Sequence, residues 1–124
     1  MMQNQKIETF QDLVVWQKSH HLVRNLYQKT IKFPKKELGG IALQIRAASV
    51  LIPTNIAKGF KKRSRKIKID NYRVALEGIE DLRYYILLAN DLGLFKEASA
   101  AIEELDVIEK MLKRLIRSNI SQRE

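Results

Sequence analysis

Residues 69–93 read IDNYRVALEGIEDLRYYILLANDLG, and apolar side chains recur in this stretch at every third or fourth position. The recurring positions are Ile69, Tyr72, Leu76, Ile79, Leu82, Ile86 and Ala89. This spacing follows one face of an α-helix, whereas a half-buried strand would alternate at every second residue. The run closes at Asp91-Leu92-Gly93, where glycine suits the left-handed cap of a helix. The stretch therefore predicts a long amphipathic helix.

The segment at the start of the chain shows the same helical spacing. We predict that a first helix begins near Phe10, because Thr9 and Asp12 form a weak relative of a capping box. This helix should end near Lys32, since the proline of Phe33-Pro34 disfavours the helical conformation in the residue before it.

A second helix is predicted over about Leu38 to Lys58, with Gly59 as its left-handed cap. Pro53 lies inside this segment and lacks the amide that would continue the helical hydrogen bonds. We therefore expect a kink at Pro53. The alternative is a pair of shorter helices that meet at Leu51-Ile52.

A fourth helix is predicted from Ala98 to about Leu115, before the polar tail Ser118 to Glu124. The composition agrees, because 7% aromatic residues, five glycines and two prolines leave mostly good helix formers. Four helices with short connections favour an all-α, antiparallel, up-down-up-down four-helix bundle with a kinked second helix. We predict one domain over residues 1–124.

A cationic run lies between the second and third predicted helices. Seven of the eleven residues from Lys58 to Lys68 are Lys or Arg, and none is acidic. The whole chain carries a formal net charge of +9. Such a concentration of like charge favours a polyanion as ligand, because phosphates relieve the repulsion and release counterions. We predict sequence-nonspecific binding of RNA or DNA backbones by a flexible loop. The predicted ligands are Lys58, Lys61, Lys62, Arg63, Arg65, Lys66 and Lys68.

Other interpretations of this run stay open at this point. The run is also compatible with a solvated loop that only keeps the protein soluble. Phe60 is placed either to stack on a base or to pack on the end of the bundle. A membrane-surface helix is disfavoured, since few bulky apolar residues accompany the charges.

Features of an enzyme are missing from the sequence. No cysteine is present, and the only histidines, His20 and His21, point about 100° apart on a helix and so cannot share one metal ion. Glu77, Glu80 and Asp81 share the third helix with Arg73 and Arg83, so they are expected to be salt-linked surface or interface positions rather than an acid/base pair. We predict a non-catalytic protein without cofactor or metal. The polar start of the chain carries no secretory signal and no membrane span is found, so a cytoplasmic protein is expected.

The third helix has more apolar residues than one bundle seam can bury. A helix that is apolar on most sides is buried on most sides, so a second subunit is expected to cover the surplus. The predicted interface residues are Trp16, Tyr84, Tyr85 and Leu88.

Several motifs together resemble one family. Five segments occur in the order seen in the bacterial four-helix-bundle proteins first associated with intervening sequences in 23S ribosomal RNA. They are Phe10–Lys18, Phe33–Glu37, Ile52-Pro53-Thr54-Asn55-Ile56-Ala57-Lys58-Gly59, Leu82–Tyr85 and Ala89–Gly93. Relatives of that family include the accessory variability proteins of diversity-generating retroelements. Those relatives form pentameric barrels and associate with a reverse transcriptase and nucleic acid.

The resemblance implies a homopentamer and an accessory role beside a reverse transcriptase. This chain departs from the family pattern at Lys58, where an acid is usual, and at Ile79, where serine is usual. Lys58 extends the cationic run and favours the nucleic-acid-binding branch. The alternative implied by the same resemblance is a protein–protein scaffold without a direct nucleic-acid role.

Overall fold

The computed structural model describes residues 6–121 and contains four long helices with no strand in that range. The helices are α1 (Val14–Thr30), α2 (Ile41–Lys61), α3 (Arg65–Asp91) and α4 (Ala98–Ser121). Single 3₁₀ turns precede α1 and α2, at Phe10–Asp12 and Lys35–Glu37. The predicted all-α class is confirmed, while residues 122–124 of the predicted polar tail lie outside the described range.

The four helices pack as a ring in chain order. Each helix contacts the next one along the chain, and α1 closes the ring against α4. Arg46, near the start of α2, donates to the Thr30 hydroxyl at the end of α1 (2.8 Å), as antiparallel neighbours require. The side chains inside the ring are fully buried, and those of α3 belong to its predicted apolar positions. The fully buried side chains include Leu22, Leu26, Ile45, Ile52, Ile56, Ile79, Leu82, Ile86, Leu105, Ile108 and Leu112.

The first helix begins four residues later than predicted. The Asp12 carboxylate accepts hydrogen bonds from the amides of Thr9 and Glu8, each at 2.9 Å, and these bonds lower the pKa of Asp12. The predicted capping interaction therefore exists, but the turn that it caps is the short 3₁₀ turn. Leu13 is extended, and α1 starts only after it.

The second helix differs from two of the predictions. It runs without interruption through the buried Pro53, so the alternative of two shorter helices is wrong, while the kink stays a prediction. Gly59 is not a left-handed cap, because it lies inside α2 and is buried. Gly93 is the described glycine that adopts positive φ, at 77°, and its predicted role at the end of α3 is confirmed.

Glycine allows α2 and α3 to approach closely at two places. A Cβ atom on Gly59 would lie 2.5 Å from Cε1 of Tyr72, whose ring is buried. A Cβ atom on Gly78 of α3 would lie 3.2 Å from the carbonyl oxygen of Ala48 on α2. The two helices therefore form a tightly packed hairpin. None of the helices within residues 6–121 is long and apolar enough to cross a membrane.

We predict that Gly59→Ala lowers the free energy of unfolding by about 1–3 kcal/mol, because the added methyl group overlaps the buried Tyr72 ring. Urea denaturation measures the change. Gly39→Ala is the control, since a Cβ atom added there would meet no other atom within 4 Å, and it should alter stability by less than about 0.5 kcal/mol. Equal stability of the two variants would contradict the close packing of Gly59 against the Tyr72 ring.

Candidate nucleic-acid interface

The cationic run forms a corner between two helices. Lys58 and Lys61 lie in the last turn of α2, and α3 begins at Arg65, so only residues 62–64 connect the helices. All seven predicted cations except the half-buried Lys68 are exposed. The predicted flexible loop is therefore wrong: most of these side chains project from helical backbone. We call residues 58–68 the basic corner.

Ser64 starts α3 directly after the two linker cations. Its hydroxyl accepts a hydrogen bond from the Ile67 amide (3.3 Å), and its carbonyl accepts one from the Lys68 amide (2.9 Å). This serine cap explains why helix resumes inside a run of like charges, where repulsion alone would favour an open loop. The positive end of the α3 dipole then adds to the side-chain charges.

Lys68 connects the two helices inside the basic corner. Its ammonium donates to the backbone carbonyls of Gly59 (3.0 Å) and Phe60 (2.7 Å) at the end of α2. A cation at this place offsets the negative end of the α2 dipole. Burial lowers the pKa of Lys68. The contacts give Lys68 a role within the chain, and its predicted contact with phosphate stays a prediction.

Phe60 packs within its own chain. Its side chain is half-buried, and the Lys68 ammonium lies 5.6 Å from the centre of its ring. Lys61 lies in the same way over Phe10, at 5.7 Å. These contacts favour the interpretation in which Phe60 covers the end of the bundle over the one in which it stacks on a base.

The structure adds cations that the sequence analysis missed. Lys110, Lys113, Arg114 and Arg117 are exposed on the second half of α4. The antiparallel packing brings the end of α4 to the same end of the bundle as the basic corner. The sequence contains no acidic residue from 110 to 117, and this pattern could have indicated a cationic surface. The segment was interpreted only for its apolar spacing.

Comparison with known proteins places this bundle in a family. The family model of the 23S rRNA-intervening sequence proteins matches residues 11–114. The chain belongs to this family.

A crystal structure at 1.70 Å resolution has the same fold as this 23S rRNA-intervening sequence protein. It shows a protein of unknown function from the S23 ribosomal protein family of Bacteroides thetaiotaomicron, with 20% identity and a TM-score of 0.73. The similarity covers 84% of this chain and 96% of the other. At this level of identity the likeness establishes the fold alone. No curated protein matches the sequence significantly.

The predicted interface residues of this intervening-sequence protein lie on two different faces. Tyr84 on α3 is 59% exposed, while Tyr85 and Leu88 are half-buried and Tyr85 packs against the core. Trp16 lies on α1, where it stacks on His20 (centroids 4.8 Å apart) and meets the edge of Phe10. Because α1 and α3 are not neighbours in the ring, these residues do not form one patch.

Exposed apolar side chains on α2 also escaped the sequence analysis. Leu43 is 52% exposed and Val50 is 38% exposed, and both lie on α2. They are seven residues apart, so they share a face of that helix, away from its buried stripe. The seven-residue spacing of Leu43 and Val50 could have indicated this exposed apolar face from the sequence.

Arg83 of α3 interacts with acids on two helices. Arg83 reaches across to α4, where it contacts Asp106 (2.6 Å) and Glu109 (2.7 Å). The hydrogen bond to Asp106, with the charges of Glu109 and of Glu80 on its own helix, raises the pKa of Arg83. No group of acidic or histidine side chains within residues 6–121 is arranged to hold a metal ion.

Proposed function

We propose that this protein is a non-catalytic accessory protein that binds the phosphate backbone of RNA or DNA through its basic corner. The observation that carries the proposal is a group of seven cations with no acid among them, five on two helix ends and two in the connection of residues 62–64. Phosphate is the complementary ligand, because each contact releases counterions condensed on the nucleic acid.

Fixed positions distinguish this corner from a solvated charged loop. Side chains on helix ends that are already packed need less ordering when they meet a ligand than side chains on a free loop. Lys62 and Arg63 lie at the tip, and both are exposed. Arginine grips phosphate with two parallel hydrogen bonds, whereas lysine acts as a mobile point charge. The corner is therefore suited to backbone contact and offers no element shaped to enter a groove and read bases.

The biological setting that we propose follows from the family. Its name refers to intervening sequences in 23S ribosomal RNA, which is consistent with a nucleic-acid partner. The resemblance to accessory variability proteins, together with Lys58 in place of the usual acid, favours an accessory subunit that presents nucleic acid to a reverse transcriptase.

A closed homo-oligomer, with five subunits by resemblance, is part of the proposal. A ring needs two different surfaces on each subunit, so that the front of one copy meets the back of the next. The apolar side chains on α3, exposed at Tyr84 and Leu87, and the Trp16 region on α1 lie on non-adjacent helices and meet this requirement. A ring would also repeat the basic corner and strengthen weak contacts through effective concentration.

The second candidate function is a protein–protein scaffold. The exposed apolar side chains on α2 and α3 favour it, because they offer contact area unrelated to phosphate. In this case the basic corner would meet an acidic protein surface.

We predict that changing Lys62 and Arg63 together to alanine weakens binding of unrelated nucleic-acid sequences to the same degree. The slope of log affinity against log salt should flatten by about two, roughly one per lost phosphate contact. Fluorescence anisotropy over a salt series measures both effects.

The matched control changes Lys35 and Lys36 to alanine, which removes the same charge from exposed positions before α2. This control should bind as the wild type does. If the two double variants lost affinity equally, only net charge would matter and the corner would not be the site. Dependence of the loss on base sequence would contradict backbone recognition.

We predict that Tyr84→Glu reduces the oligomer measured by light scattering after size-exclusion chromatography, because an unpaired carboxylate is costly to bury. Tyr84 is preferable to Tyr85, whose packing in its own chain would confuse the result. Ile31→Glu is the control, since Ile31 is 69% exposed and lies outside the proposed interface. A wild-type monomer of 14.5 kDa would contradict the assembly.

A further inference from the structure

The end of α4 is a second acid-free cationic surface. Residues 110–117 contain two lysines and two arginines and no acid. All four cations are exposed. The apolar residues between them, such as Leu112 and Ile116, face the core and hold the helix in place. The cations therefore project from a packed helix, as those of the basic corner do.

Ion pairing with α3 leaves this surface positive. The nearest preceding acids on α4 are Asp106 and Glu109, and Arg83 of α3 contacts both. Glu109 also lies 3.2 Å from Lys113, but it shares its charge with the closer Arg83. The Lys113 side chain remains 54% exposed. Lys113 is thus positioned by the ion pair and still open to solvent.

The pairing of Arg83 also fixes the register between the two helices. Arg65 precedes Arg83 by 18 residues, or about 27 Å of helix, whereas Arg117 follows Glu109 by 8 residues, or about 12 Å. Arg117 therefore lies about 15 Å short of the first turn of α3 along the bundle axis, and Lys110, Lys113 and Arg114, which follow Glu109 by one to five residues, lie about 20–26 Å short. Neighbouring helix axes are separated by about 8–10 Å, so the two cationic surfaces lie on adjacent helices but are distinct from each other.

Two separated surfaces on rigid helices suit a stiff ligand. A double helix carries phosphates on two strands at fixed positions and is stiff over this length, so it can touch both surfaces without being ordered on binding. A single strand would have to be ordered, and proteins that bind single strands usually supply exposed aromatic rings for stacking. Near this end of the bundle Phe60 and Trp16 are half-buried and in contact with Lys68 and His20.

We infer that the end of α4, with Lys110, Lys113 and Arg114 as phosphate ligands, joins the basic corner in binding double-helical nucleic acid. This inference rests on the proposed function and specifies its substrate as a duplex. The shared chemistry is the pair of phosphate backbones, so RNA and DNA duplexes are separate arms of the test.

The test measures binding of the full chain to a duplex of RNA, a duplex of DNA and the corresponding single strands at equal salt. We expect at least one duplex to bind about ten-fold more tightly than its single strands. Changing Lys110 and Lys113 together to alanine should weaken duplex binding about ten-fold and flatten the salt slope by about two. Single-strand binding should fall less than about three-fold, since the corner alone suffices for it.

The double variant of Lys35 and Lys36 is again the matched control, with the same residue types and the same loss of charge. Equal duplex binding by the α4 variant and this control would overturn the inference, as would tighter binding of single strands. Either result leaves the basic corner as a nucleic-acid site. Absence of binding to every nucleic acid at low salt would instead overturn the proposed function itself. Urea denaturation of the α4 variant should match the wild type, because both lysines are exposed.

Discussion

The contact between Gly59 of α2 and the Tyr72 ring of α3 determines how closely these two helices approach each other. Any larger residue at position 59 would overlap a buried ring, and Gly78 permits a second close approach farther along the same pair. Both contacts lie within one hairpin, and residues 62–64 connect its two helices. The tight hairpin therefore holds the cations of the basic corner together.

Holding like charges together costs free energy that the hairpin has to offset. Part of the repulsion is relieved locally, since Lys68 is bound by carbonyls at the end of α2 and Lys66 lies 3.9 Å from Asp70. The side chains of Lys58, Lys61, Lys62 and Arg63 are exposed to solvent. A phosphate backbone would lower the energy of this arrangement further, which connects the packing of the two helices with the proposed binding.

Apolar spacing predicted the four helices because burial of apolar side chains dominates their formation. The prediction of helix ends failed where glycine can have either of two structural roles. A glycine that ends a helix and a glycine that admits a neighbouring ring look alike in sequence, so Gly59 was misassigned while Gly93 was correct. The basic corner was expected to be a loop because the cap at Ser64 is hidden among cations. The cations of α4 were missed because more than forty residues of sequence separate them from the corner, and only the antiparallel packing unites them.

The central claim is that nucleic acid contacts one end of this bundle. Acetylation of lysines in the free and nucleic-acid-bound protein, read by mass spectrometry, tests it directly, because a bound phosphate backbone shields an ammonium group from the reagent. Shielding should be strong at one end of the bundle and weak at Lys32, Lys35 and Lys36. The lysines expected to be shielded are Lys58, Lys61, Lys62, Lys66, Lys110 and Lys113. Uniform shielding, or shielding confined to the opposite end, would contradict the account.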